Sequence, residues 1–246
     1  MLGIIGGSGL TQLGNLDVSY RQLVRTPYGD ASGPLIFGKI RGKDVVFLAR
    51  HGYGHTISPH EVNYRANLWA LNAQSVEHVV SVASVGSIRS DLKPGALAVP
   101  HQIIDYTWGR KSTYFEGGEQ PVTHVDFTEP YSETLRQKIA KAAKSATETI
   151  LLEGVYATSQ GPRLETSAEV SRMKRDGADM VGMTGMPEAG LARELNLSYA
   201  TIAVVANYAA GCGDSEHQIA LERIQDVLQQ AMMRVRKIIE HLVEQT

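Results

Sequence analysis

Residues 199–212 read YATIAVVANYAAGC, a mostly apolar run that stops at a single amide, Asn207, among small or neutral side chains. Its apolar residues are continuous rather than alternating, which predicts a strand covered on both faces. The same kind of run recurs in LGIIG (2–6), DVVFLAR (44–50), HVVSVAS (78–84), GALAVP (95–100), GVYAT (154–158) and DMVGM (179–183). Helical spacing lies between and after them. HEVNYRANLWALNAQ (60–74) carries Val62, Ala66, Leu68, Trp69 and Leu71; SETLRQKIAKAAKSA (132–146) and SAEVSRMKRDG (167–177) are amphipathic behind serine caps. Residues 218–243 line up Ile224, Leu228, Ala231, Val235, Ile238 and Leu242 on one stripe of a long helix, whose Met232–Met233 pair reads as packing. Strands alternating with helices predict an α/β fold: one domain, residues 1–246, with a central mixed, mostly parallel sheet flanked by helices.

With 246 residues, 43% hydrophobic and 20% charged, the chain can bury one sizeable core. A net charge of −2 without a long basic stripe argues against nucleic acid as a partner. No run approaches the ~20 apolar residues of a membrane span, and MLGIIGGSG has no basic leader, so neither a membrane nor a secretory address is expected. The single cysteine, Cys212, fits a reducing cytoplasm. No base stands near it in sequence, so packing is the simpler reading than nucleophile.

In open α/β sheets ligands bind beyond the carboxyl ends of strands. Those ends offer Ser8 in GGSG (6–9), Arg50 and His51 in LARHG, Ser84 in ASVGS, and Met183 with Thr184 in GMTGMPEAG. The first turn matches neither the phosphate loop of nucleotide triphosphatases nor the dinucleotide fingerprint. Hydroxyls, an arginine fork and glycine turns, without a lysine or an acidic pair, suit inorganic phosphate or sulfate better than a magnesium nucleotide. His51, His55 and His60 fall close together, but Gly52, Gly54 and Pro59 oppose the helix that would present two of them to zinc. No metal is expected. Residues 107–130 form a long polar stretch, and loops of that length are usually functional or reach a neighbour.

The strings GGSGL, LARHG, HEVNYRANLWAL, PGALAVPHQIIDYT, QGPRLET and VGMTGMPEAGLARE resemble the trimeric purine nucleoside phosphorylase and methylthioadenosine phosphorylase family, over residues 3–240. That resemblance implies cleavage of a purine N-glycosidic bond by inorganic phosphate as co-substrate, with no organic cofactor. It implies phosphate contacts from Ser8, Arg50, His51, the Ala83–Ser84 pair and Thr184, and a sugar contact from Met183. It further implies a homotrimer in which His124, on the long loop, reaches the neighbouring subunit's site. Two departures stand out. ASVGS replaces the N-A-x-G-G or T-A-x-G-S turn often found in the family, so Ala83 lacks a polar side chain. Leu164 replaces the phenylalanine that often stacks on the base.

The base can be reasoned from its edges. Adenine offers an amino donor and a bare N1; a 6-oxopurine offers an acceptor O6 and an N1–H donor. Adenine-selective relatives carry aspartates at the positions matching Asn207 and Ala209, and this chain has neither. Asn207 can donate to O6 or N7, with Tyr208 and Ala209 after it as further expected substrate contacts, and Glu165 can accept N1–H, unless Glu165 only caps the helix that follows it. Both point to hypoxanthine or guanine. Asn207 is the candidate catalytic group, stabilising the departing base. At the 5' end, Ile219, Leu221 and Ile224 are apolar, with Leu221 in the place of the histidine of ordinary inosine phosphorylases. A methylthio group is expected there rather than a hydroxyl. The expected substrate is S-methyl-5'-thioinosine. The alternatives are inosine or guanosine, methylthioadenosine, and a non-catalytic nucleotide-binding module on the same sheet.

Overall fold

A computed structural model describes residues 1–118 and 121–246. In chain order the elements are β1 (Leu2–Gly6), β2 (Asp17–Gln22), β3 (Arg25–Thr26), β4 (Gly29–Asp30), β5 (Leu35–Ile40), β6 (Lys43–Ala49), α1 (Tyr64–Asn72), β7 (His78–Ser87), β8 (Leu97–Ala98), β9 (Gln102–Asp105), α2 (Glu133–Ser145), β10 (Val155–Thr158), α3 (Ser167–Arg175), β11 (Met180–Gly182), α4 (Gly185–Glu194), β12 (Ser198–Tyr208) and α5 (Leu221–Leu242).

Ten strands form one mixed sheet, and β3 with β4 make a small separate ribbon. β1 pairs parallel with β6 and β7, β7 parallel with β12, and β10 parallel with β9 and β11. The contacts β2–β5, β5–β6, β7–β11 and β8–β12 are antiparallel. The alternation of side chains explains why the inner strands carry no polar face. Ile4, Val80 and Ile202 enter a core under α2 and α5 with Leu135, Ile139, Val235 and Ile238. Ile5, Val79 and Tyr199 point the other way, into a second core with Leu68 and Leu71 of α1 and Leu191 of α4. Both faces of the sheet are covered, as the unbroken apolar runs predict.

Three differences from the sequence reading matter. The stretch 17–40 holds strands β2 to β5; β2 exposes all six residues, so it carries no hydrophobic signal. β7 runs on to Ser87, which places Ala83 and Ser84 inside a strand rather than at its end. The cap of α3 is Thr166, whose hydroxyl accepts from Glu169 N–H while the Glu169 carboxylate accepts from Thr166 N–H. This reciprocal box leaves Glu165 free of capping duty.

Candidate functional site

A cavity of about 380 Å³ lies where β1, β6, β11 and β12 end, against residues 83–86 of β7. Ser8, Arg50, His51, Ala83, Ser84, Leu164, Glu165, Met183, Thr184, Asn207 and Ala209 all line it.

The anion side is built by close approach. Gly7 follows β1, and a Cβ there would stand 2.6 Å from the Val82 carbonyl and 2.8 Å from Arg50 Nη1, so only glycine lets the turn pack against the arginine. Arg50 is fully buried. Its Nε donates to Glu188 Oε2 at 2.6 Å, and its Nη2 donates to Glu188 Oε1 at 2.8 Å and to Ser81 Oγ at 2.6 Å. Nη1 donates to the Val82 carbonyl at 3.1 Å. The expectation of an open guanidinium fork is therefore corrected: a carboxylate on α4 occupies the fork, and one Nη1 proton is left without a protein partner among the described residues. Burial opposes the charge, but Glu188 outweighs it and holds the guanidinium above its ordinary pKa. Glu188, itself fully buried, also accepts from Tyr199 Oη at 2.8 Å.

His51 is buried, and its Nδ1 sits 2.8 Å from the Ile57 carbonyl. A carbonyl only accepts, so Nδ1 carries the proton and the neutral ring presents Nε2 as an acceptor. Burial, then the Arg50 charge, lower its pKa to about 4. Ser84 Oγ donates to the Ser8 carbonyl at 3.1 Å, which ties β7 to the first glycine turn and uses the hydroxyl proton. Ser8 Oγ lies 3.4 Å from His55 Nε2. Thr184 is buried just before α4, whose backbone kinks at the extended Met186, and its hydroxyl makes no capping bond. Among the described residues no cluster of three or more His, Cys, Asp or Glu could hold a metal ion.

On the opposite side, the β12–β7 register shifts at Ala206, between Val205 and Asn207, and Asn207 pairs with Gly86 at the cavity wall. Asn207 Nδ2 donates to the Tyr208 carbonyl at 2.6 Å; that carbonyl can only accept, so the nitrogen must face it and a second N–H remains. Glu165 accepts a hydrogen bond from Ser159 Oγ. Ala209 packs against Gly86, so the wall beside Asn207 is apolar.

Three expected site residues stand outside the cavity. Tyr208 donates its hydroxyl to the Ser90 carbonyl at 3.2 Å and packs on Gly213. Leu221 is 61% exposed at the start of α5; the apolar rim comes instead from Ile219, Ile224 and Leu228. The placement of Leu221 at the 5' end is corrected accordingly: the first turn of α5 points it at solvent. His124 is exposed and does not line the cavity of its own chain. Two residues of its loop, 119 and 120, lie outside the described residues.

Sequence reasoning missed Glu188 and Ser159. Glu188 reads as an acid in the first turn of a helix, and nothing local signals a partner 138 positions away. Ser159 follows a strand end, the one position class that could have flagged it.

The family model described as the phosphorylase superfamily matches residues 1–244. A probable S-methyl-5'-thioinosine phosphorylase of Xanthomonas campestris pv. campestris is 51% identical over 92% of this chain and 90% of its own length. A 6-oxopurine nucleoside phosphorylase of Pyrococcus furiosus is 44% identical over 85% of this chain and 80% of its own. Among solved structures, a methylthioadenosine phosphorylase from Schistosoma mansoni in complex with adenine superposes with a TM-score of 0.95 at 34% identity, covering 99% of this chain and 91% of that one.

Proposed function

We propose, for a chain that belongs to the phosphorylase superfamily, that it catalyses phosphorolysis of S-methyl-5'-thioinosine to hypoxanthine and 5-methylthioribose 1-phosphate. The observation that carries this reading is the pairing of Asn207 and Glu165 in one cavity with an anion pocket and an apolar rim. The names of the Xanthomonas and Pyrococcus relatives support a 6-oxopurine substrate.

Phosphate binds to the remaining Nη1 proton of Arg50, the hydroxyls of Ser8 and Thr184, and the backbone around Ala83 and Ser84. His51 Nε2, an acceptor, receives a hydrogen bond from the hydroxyl of a monoprotonated phosphate. Because Arg50 is balanced by Glu188 and His51 is neutral, directed hydrogen bonds rather than net positive charge hold the anion. A phosphate oxygen attacks C1' as the purine leaves. The free N–H of Asn207 donates to N7 or O6, where negative charge collects in the transition state. Glu165 accepts N1–H, Met183 packs on the sugar, Leu164 borders the base, and Ile219, Ile224 and Leu228 surround the methylthio group. Positioning and charge stabilisation supply the rate. No metal or organic cofactor takes part.

The active assembly in this reading is a cytoplasmic homotrimer with His124 reaching the neighbouring site. Its exposure outside its own cavity supports that role, and no helix among the described residues is long and apolar enough to cross a membrane. The test is to incubate the protein with methylthioinosine, inosine or methylthioadenosine, with and without phosphate, and identify free base and sugar 1-phosphate. Phosphate-dependent release of hypoxanthine, fastest from methylthioinosine, is expected. Turnover of methylthioadenosine alone would overturn the reading, and faster turnover of inosine would reassign the 5' end.

A further inference from the structure

We infer that Ser159 is a positioning residue for base choice, acting through Glu165; the inference rests on the proposed reading of Glu165 as the acceptor for N1–H. Ser159 follows β10 and is buried. Its hydroxyl has one proton and two acceptors in reach, Glu165 Oε1 and the Gly182 carbonyl at 3.4 Å. The Gly182 carbonyl already accepts from Ser159 N–H at 2.8 Å, so the hydroxyl proton belongs to Glu165. Oε1 is thereby fixed as an acceptor toward Ser159, and Oε2 has no protein partner among the described residues.

The bond matters because Glu165 has a choice of direction. It lines the cavity described above and also a second one of about 250 Å³ lined by Trp108, Arg163 and Arg172. Among the described residues its one hydrogen bond is from Ser159, since Thr166 and Glu169 close the helix cap without it. Without that bond a flexible carboxylate can turn toward that second cavity, drawn by the charge of Arg163, which itself pairs with Glu169. Ser159 is itself held from the far side. Arg110, on the long loop, donates from Nη2 to the Gln160 carbonyl at 2.7 Å and the Ser159 carbonyl at 3.3 Å, and from Nη1 to the Met183 and Met186 carbonyls at 2.8 and 2.6 Å. The serine is thus a fixed post, and the carboxylate is the movable group tied to it.

The test compares kcat/KM for methylthioinosine and methylthioadenosine in wild type, Ser159→Ala, Ser159→Thr and Glu165→Gln. Loss of a hydrogen bond to a charged group is expected to lower the 6-oxopurine value about tenfold or more in Ser159→Ala. The loss should appear as a higher methylthioinosine KM and a lower kcat, while methylthioadenosine, which gives Glu165 nothing to accept, changes little. The ratio between substrates therefore drops, and the hydroxyl of Ser159→Thr restores it. Equal losses on both substrates, or no loss on either, would overturn the role of Ser159. If Glu165→Gln collapses the ratio and Ser159→Ala does not, only this inference falls. If Glu165→Gln leaves the ratio unchanged, the base-reading assignment falls with it. The alanine variant removes a single oxygen, and a melting curve alongside confirms that it folds.

Discussion

The two ends of the cavity are made differently. The anion end is assembled from buried backbone: Gly7 against Val82 and Arg50, Ser84 tied to Ser8, Arg50 locked to Glu188. In the proposed reading the 5' end is made of Ile219, just before α5, and Ile224 and Leu228 in its first two turns, with Leu221 exposed. A site fixed by strand ends cannot change without disturbing the core. A rim carried at the start of one helix can be altered residue by residue. In the proposed reading, chemistry common to phosphorolysis lies in the rigid half, and substrate choice at C5' in the adjustable half.

The largest effect is expected from Glu188→Gln. It leaves Arg50 buried without its counter-charge, a class of change that costs roughly 3–5 kcal/mol. Urea unfolding should read that loss, and KM for phosphate should rise as the guanidinium relaxes. A variant as stable as wild type would show that the anion end is not the rigid half. The next effect is pH dependence. His51 has a pKa of about 4 in the folded chain against an ordinary 6.5. As pH falls below the ordinary value, the unfolded chain takes up the proton first, so stability declines through this window and levels off near pH 4. The full difference is about 3 kcal/mol. His51→Gln removes it, so the gap between the two proteins' urea stabilities should shrink or invert from pH 7 to pH 4.5; a constant gap would contradict the buried neutral imidazole. The smallest effects belong to the 5' rim. Ile219→Asn should cut the preference for methylthioinosine over inosine by about tenfold, the range of ~1–3 kcal/mol for apolar discrimination. Leu221→Asn should stay within about threefold of wild type, like a surface substitution. Equal effects at 219 and 221 would erase the contrast.

The inner strands were legible because burial on both faces leaves continuous apolar runs such as 79–83 and 199–206. β2 was not, since its six residues face solvent. Ser8, Arg50, His51, Met183, Thr184 and Asn207 could be placed because chain order and strand direction put them at one edge of the sheet. What escaped was pairing across the fold. Nothing in GMPEAG signals that Glu188 occupies the Arg50 fork, and nothing in SQGPRLET separates Ser159 from any serine after a strand. Leu221 and Ile219 are two residues apart on a chain about to enter a helix, and only the start point of α5 decides which faces inward.

In the proposed reading an amide at the end of β12, in one cavity with Glu165, selects a 6-oxopurine. The direct measurement is the ratio of kcat/KM for methylthioinosine over methylthioadenosine at saturating phosphate, in wild type and in Asn207→Asp. Hydrogen-bonded sites reject the mismatched analogue by about 10⁴-fold. The wild-type ratio should approach that value and fall by at least about tenfold in the variant, whose carboxylate repels O6 and suits an amino group. A wild-type ratio near one, or a ratio unchanged by the aspartate, would contradict the account.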